Sequence, residues 1–194
     1  DYTSSYYAGE TNTAGVTDPE YTQAQGWFDG ELTLGQSRSK TIPTPNLYLA
    51  GPQARVDLAV AGASNYATLS PDHHLQIQFA GQLIDTLYDG YKLLKFTQNV
   101  NVSALNPAGT PFVFTSINNL NSPVDRSAIV YIQARYPRNW NLGNLQQLKL
   151  ELPAGTQDKT LLTFSSFDAE ETDTVWIFDQ GNRRQIPVVL EEEQ

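Results

Sequence analysis

The sequence predicts an all-β fold: two antiparallel sheets packed face to face as a jelly-roll-like β-sandwich. Three observations carry this. Apolar and polar residues alternate with a period of two in run after run, as in His74-Leu75-Gln76-Ile77-Gln78-Phe79. Clusters of Gly, Pro, Asn and Asp separate these runs at short spacing, as turns between short strands do. No convincing helical stripe is found, and 10 Tyr, 8 Phe and 3 Trp favour pleated, half-buried surfaces over helices.

Residues 1–26 are polar and aromatic without a period and read as an extended arm or loop. A single sandwich domain is expected over 27–194, opening on Trp27, Phe28 and Leu32. In Arg55–Ala61, Val56, Leu58 and Val60 share a face. In His74–Phe79, Leu75, Ile77 and Phe79 do so, and Ala80-Gly81-Gln82 turns the chain back into Leu83 and Ile84. Tyr91–Phe96 and Asn99–Val102 follow. Asn106–Pro111 is a turn, Phe112–Ile117 a strand and Asn118–Asp125 a loop. Ile129–Tyr136 is an inner strand ended by Pro137, which has no N–H to give a ladder. Leu148–Leu152, Thr160–Phe164, Thr174–Asp179 and the run from Ile186 repeat the pattern. Leu58, Leu75, Ile77, Phe79, Val130, Ile132, Leu150 and Ile177 are the expected core.

Composition narrows function. The formal net charge is -9 and no Lys/Arg cluster exists, which argues against nucleic acid. With no cysteine there is no disulfide, thiolate metal site or Cys nucleophile. No stretch approaches the roughly 18 to 20 apolar residues of a membrane helix, so no membrane insertion by this chain is expected. No signal peptide is found; the chain begins at Asp1 and holds no Met, as expected of a processed chain or an excised piece.

Candidate chemistry is sparse. His73 and His74 are neighbours, which in a strand face opposite sides and cannot easily hold one ion, so they read as an edge or turn pair. A Ser-His-Asp triad is formally possible, but no G-x-S-x-G context supports it. Carboxylates are many, and no pair stands out as the two a glycosidase holds across a cleft. No cofactor is expected, with calcium left open at the oxygen-rich loops Thr17–Glu20 and Asp168–Asp173, neither of which matches the D-x-D-x-D-G pattern. Trp27, Tyr88 and Trp140 lie by Gly, Asp or Asn and are candidates for stacking on sugar rings or for plugging the sandwich end. Arg135 and Arg138 flank the strand end at Pro137. Arg135, nearer the core, should be partly desolvated and held by a carboxylate from Asp168–Asp173 or by Asp179; Arg138 should be the more exposed.

Several segments occur in a familiar order. Thr17-Asp18-Pro19-Glu20-Tyr21-Thr22 leading to Gly26-Trp27-Phe28, then His73-His74-Leu75 with the Ala80-Gly81-Gln82 turn, then Tyr131–Tyr136-Pro137-Arg138, then Val175–Asp179, resemble the module that precedes the catalytic domain in gingipain-like cysteine peptidases. That group includes the sortase of the type IX secretion system. Asp179-Gln180-Gly181-Asn182 departs from the pattern, and none of the family's catalytic residues is present. The resemblance implies a non-catalytic β-sandwich at the cell exterior or outer-membrane surface. Its partner would be a downstream peptidase domain of the same polypeptide, with Arg135 and Arg138 as a contact surface. A carbohydrate-binding module, marked by exposed coplanar aromatics, and a jelly-roll glycosidase, marked by two convergent carboxylates in a cleft, are the alternatives.

Overall fold

The computed structural model describes residues 5–6, 27–145, 147–150, 152, 162–167 and 175–188. The chain divides into two compact units, Asp1–Asn139 and Trp140–Gln194. The expected single domain over 27–194 stands beside this division: both large sheets lie in the first unit.

Strands β1 (Ser5–Tyr6) and β2 (Trp27–Phe28) pair with each other. The sandwich follows as β3 (Leu32–Thr33), β4 (Ser37–Ile42), β5 (Ala54–Gly62), β6 (His73–Phe79), β7 (Gln82–Tyr88), β8 (Leu93–Val100), β9 (Thr110–Ser116) and β10 (Arg126–Arg135). One sheet runs β3-β10-β5-β8 and the other β4-β9-β6-β7, antiparallel throughout. Counted from β3, these orders are first-eighth-third-sixth and second-seventh-fourth-fifth, the two Greek keys of a jelly roll. The described residues hold no α-helix, only a 3-10 turn at Val102–Ala104. No helix among them is long and apolar enough to cross a membrane.

The alternation that predicts the strands also builds the core. Val56, Leu58 and Val60 of β5 meet Leu75, Ile77 and Phe79 of β6 and Phe112 and Phe114 of β9 in one buried cluster. The turn from β6 to β7 has two loop residues, Ala80 and Gly81, both at positive φ (44° and 74°), the backbone that lets a two-residue hairpin follow the strand twist. At the end of β5, Gly62 lies so close to the Gly90 carbonyl that no side chain fits there.

Strand β10 departs from simple alternation. The register against β5 slips between Ile129 and Tyr131, leaving Val130 as the extra residue of a bulge. Ile129 therefore joins the main core. Val130 is half-buried against a small cluster of Phe28, Ala61, Ala63 and Ala128. Beyond the bulge Ile132, Ala134 and Tyr136 pack partly buried on the main core, while Tyr131, Gln133 and Arg135 face out. Val130 and Ile132 are thus half-buried rather than central.

In the second unit, β11 (Asn141–Leu145) pairs in parallel with β12 (Ser165–Phe167), and β13 (Ile177–Asp179) pairs antiparallel with β14 (Arg184–Ile186). The strand expected at Leu148–Leu152 does not form in its described residues, nor does the one expected at Thr160–Phe164 in residues 162–164; β12 starts after them. Leu150 and Ile177 are half-buried, not core.

Candidate functional site

The densest set of chemical groups surrounds His73, the first residue of β6. Strand alternation sends its ring inward, where it is fully buried. Its Nδ1 lies 2.6 Å from Asp125 Oδ1 and its Nε2 lies 2.9 Å from the Ser64 carbonyl. The Ser64 carbonyl and an ionised Asp125 both accept, so the geometry is satisfied with a proton on each ring nitrogen, the imidazolium form. Asp125 Oδ2 also accepts from the Ser116 hydroxyl (3.0 Å) and the His74 N–H (3.2 Å). Asp72 lies 3.6 Å from His73 Nε2 and accepts from the backbone N–H groups of Gly90 (2.8 Å) and Tyr66 (2.6 Å). The Tyr88 ring stacks on the imidazole at 4.4 Å, and its hydroxyl meets Ser127.

These contacts define what the cluster can do. Ser116 bonds to Asp125, not to His73, so no base is poised on that hydroxyl. Both imidazole nitrogens are committed, leaving none to take a proton. Asp72 and Asp125 converge, but on a buried cation rather than in an open cleft. The arrangement ties β6, β7, β9 and the loops before β6 and β10 to one point. Its chemistry is structural.

Burial alone would pull the His73 pKa down; the Asp125 carboxylate, helped by the Ser64 carbonyl and Asp72, outweighs it and holds the value above 6.5. The sign follows. The folded chain binds this proton more tightly than the unfolded chain, so the stabilisation is complete below the unfolded value and fades as pH rises through the raised folded one. Urea midpoints should therefore fall as pH rises above about 6.5, the unfolded histidine value, and through the raised folded one. A flat profile would mean that the ring is neutral in the fold.

His74, one residue on, points outward. Its ring lies between Asp85 Oδ1 (2.6 Å) and Asn119 Oδ1 (2.8 Å), and Gln76 donates to the other Asp85 oxygen (2.9 Å). The histidines do face opposite sides, yet β6 lies between β9 and β7, so they are not the edge or turn pair expected. At the other edge, Asp29 is buried between Arg38 (3.0 Å) and Lys40 (2.8 Å) of β4. Burial favours its neutral form, but the two cations prevail and lower its pKa. Among the described residues no three His, Cys, Asp or Glu side chains gather as a metal site. The proposed calcium loops Thr17–Glu20 and Asp168–Asp173 lie outside the described residues.

The arginines are the reverse of the expectation. Arg135 is exposed on the outer face of β10, opposite Arg55 in register and close enough to Asp57 to help lower that carboxylate's pKa, after Arg55 and Thr97. Asp179, one of the expected partners, is instead paired with Arg184 at 3.2 Å. Arg138 is the half-buried one, on the extension that bridges to Leu47. The physical reason is alternation: Arg135 shares the outer face of Tyr131 and Gln133, opposite Ile132 and Ala134, and its nearness to the strand end does not bury it. Arg135→Ala should then cost about 0 to 1 kcal/mol in urea unfolding. Arg138→Ala should cost more, because its stem packs as well as its charge. A larger loss at Arg135 would contradict this placement.

The three stacking candidates separate. Tyr88 is buried against His73 and is no sugar platform; it ends a strand rather than lying in a loop, and burial pushes its hydroxyl pKa well up. The Trp27 side chain lies outside the described residues. Trp140 is half-exposed and meets Phe164 edge-on at 5.5 Å. A better pair went unseen: Trp176 and Phe178, 56% and 65% exposed, with rings 13° from parallel and centroids 6.3 Å apart. The signal was present in Val175-Trp176-Ile177-Phe178-Asp179, whose alternation puts both rings on one face.

Comparison with known proteins adds little. No family model matches the chain. No curated protein matches it. Among solved structures, the chain is similar to the CBM36-1 domain of a multidomain xylanase from the hindgut metagenome of Trinervitermes trinervoides. That likeness has 15% identity and a TM-score of 0.33, over 53% of this chain and 75% of that one.

Proposed function

We propose that this chain is a non-catalytic jelly-roll module of a larger exported protein of the gingipain-like peptidase group, acting by packing on a neighbouring domain of the same polypeptide. The observation that carries this is the end of the sandwich from which β10 leaves. There the Tyr136-Pro137-Arg138 segment is locked to residues 45–48. Leu47 and Arg138 form an antiparallel bridge. The Tyr48 N–H donates to the Pro137 carbonyl (3.0 Å), and Asn139 donates to the carbonyls of Asn46 (2.8 Å) and Leu47 (3.0 Å). A strand end held this firmly gives that end of the sandwich a fixed surface for a partner domain to pack on. Beside it, Tyr48 and Leu49 are exposed, an apolar surface next to a cation. The sealed state of the His73 cluster fits a module that does no chemistry.

The test is made on the whole polypeptide from which this chain derives. Tyr48→Arg with Leu49→Glu should speed proteolysis between this module and its neighbour while leaving the module's own melting unchanged. A reading frame with no further domain, or an unaltered cleavage pattern, overturns the proposal.

A further inference from the structure

From the second unit we infer that the Trp176–Phe178 face of the β13–β14 hairpin is a binding platform for a neutral, flat saccharide chain. The inference is independent of domain packing. Trp176 and Phe178 are two residues apart and share one face, and their rings stack loosely, 13° from parallel with centroids 6.3 Å apart, leaving aromatic surface exposed on the same side of the strand. Both are more than half exposed in a unit where Ile177, between them, is half-buried on the opposite face.

The surroundings select the ligand. Gln185 lies opposite Phe178 in register, is exposed, and brings an amide beside the ring. A pyranose matches this pairing: its C–H face lies on an aromatic ring while its rim hydroxyls need donors and acceptors. A protein partner would be better served by aliphatic neighbours on the same face. A nucleic acid would need clustered cations, and an acidic glycan would meet a chain of net charge -9. The hairpin is braced for the task. Asp179 accepts from the Asn182 backbone (3.1 Å) and side chain (2.6 Å) and pairs with Arg184, closing the turn without using either ring.

The experiment is a titration of the 194-residue chain with cellohexaose, a neutral equatorial oligosaccharide, followed by calorimetry and by tryptophan fluorescence, with polygalacturonate as the acidic control. Saturable binding of cellohexaose tighter than about 1 mM is expected, with none of polygalacturonate. Trp176→Ala and Phe178→Ala should each weaken it roughly tenfold. Trp176→Tyr, which keeps an aromatic face, should restore most of the loss, and Trp140→Ala should change nothing. Absence of saturable binding overturns the inference. So does binding that survives both alanine variants, or self-association of the chain that Trp176→Ala abolishes while cellohexaose has no effect.

Discussion

Asp125→Ala is expected to destabilise the fold by about 3 to 5 kcal/mol, the cost of removing one partner of a buried ion pair. The carboxylate neutralises a fully buried imidazolium and accepts from Ser116 and the His74 N–H. Truncation leaves a cation without its nearest counter-charge and strands two further donors. The size of the effect comes from this uncompensated charge, not from the worth of any one hydrogen bond. Asp125→Asn keeps the shape and one acceptor, so it should fall between wild type and alanine. Urea unfolding at about pH 5.5, a full unit below the unfolded histidine value, is the cleanest measurement, because the ring is then mostly charged in both states. A loss under about 1 kcal/mol for Asp125→Ala would mean that water reaches the ring.

Phe112→Ala should cost a similar amount by a different route, about 3 to 5 kcal/mol. Phe112 is buried in β9, opposite Phe79 of β6 in register, and the two rings stack at 4.8 Å. The interior between two sheets cannot collapse easily around the missing ring, because β9 and β6, which carry the two rings, are each held by a neighbour on both sides. Phe112→Leu restores most of the volume and should cost distinctly less. Unlike the Asp125 effect, this one should not change with pH. Equal losses for alanine and leucine would show that the stack, rather than the filled volume, is what matters.

The sequence made the jelly roll legible because its inner strands follow the simplest rule. Leu75, Ile77 and Phe79 face in, and the polar residues between them mostly face out. Strand β4 escaped notice for a physical reason. Its inward positions include Arg38 and Lys40, which close on Asp29 at the sheet edge. Ser37-Arg38-Ser39-Lys40-Thr41 thus shows no apolar alternation at all. The bulge at Val130 is likewise silent in the sequence: nothing in Ser127–Arg135 marks the residue at which the faces exchange, so the entry of Ile129 into the core could not be read. Arg135 is a different case: it keeps the face that alternation with Ile132 and Ala134 gives it, and lying near the strand end does not desolvate it. The His73 cluster needed tertiary contacts, since Asp125 is 52 residues away. Only adjacent Asp72 could have hinted at it. The Trp176–Phe178 pair required no such contact and could have been found by alternation alone.

The place of β10 in the jelly roll has a mechanical consequence. Leu32 and Thr33 lie beside the beginning of β10, at Ser127 and Arg126, while the chain leaves from the far end past Arg135. A pull between these points runs along the strand axis. The two register pairs joining β3 to β10 take the load first, and once they part the eight joining β10 to β5 bear it together, in shear, instead of opening one by one like a zip. Forced unfolding follows the barrier to rupture rather than equilibrium stability. A module threaded in this way can stay folded while the polypeptide is drawn taut, as a stiff link rather than a spring.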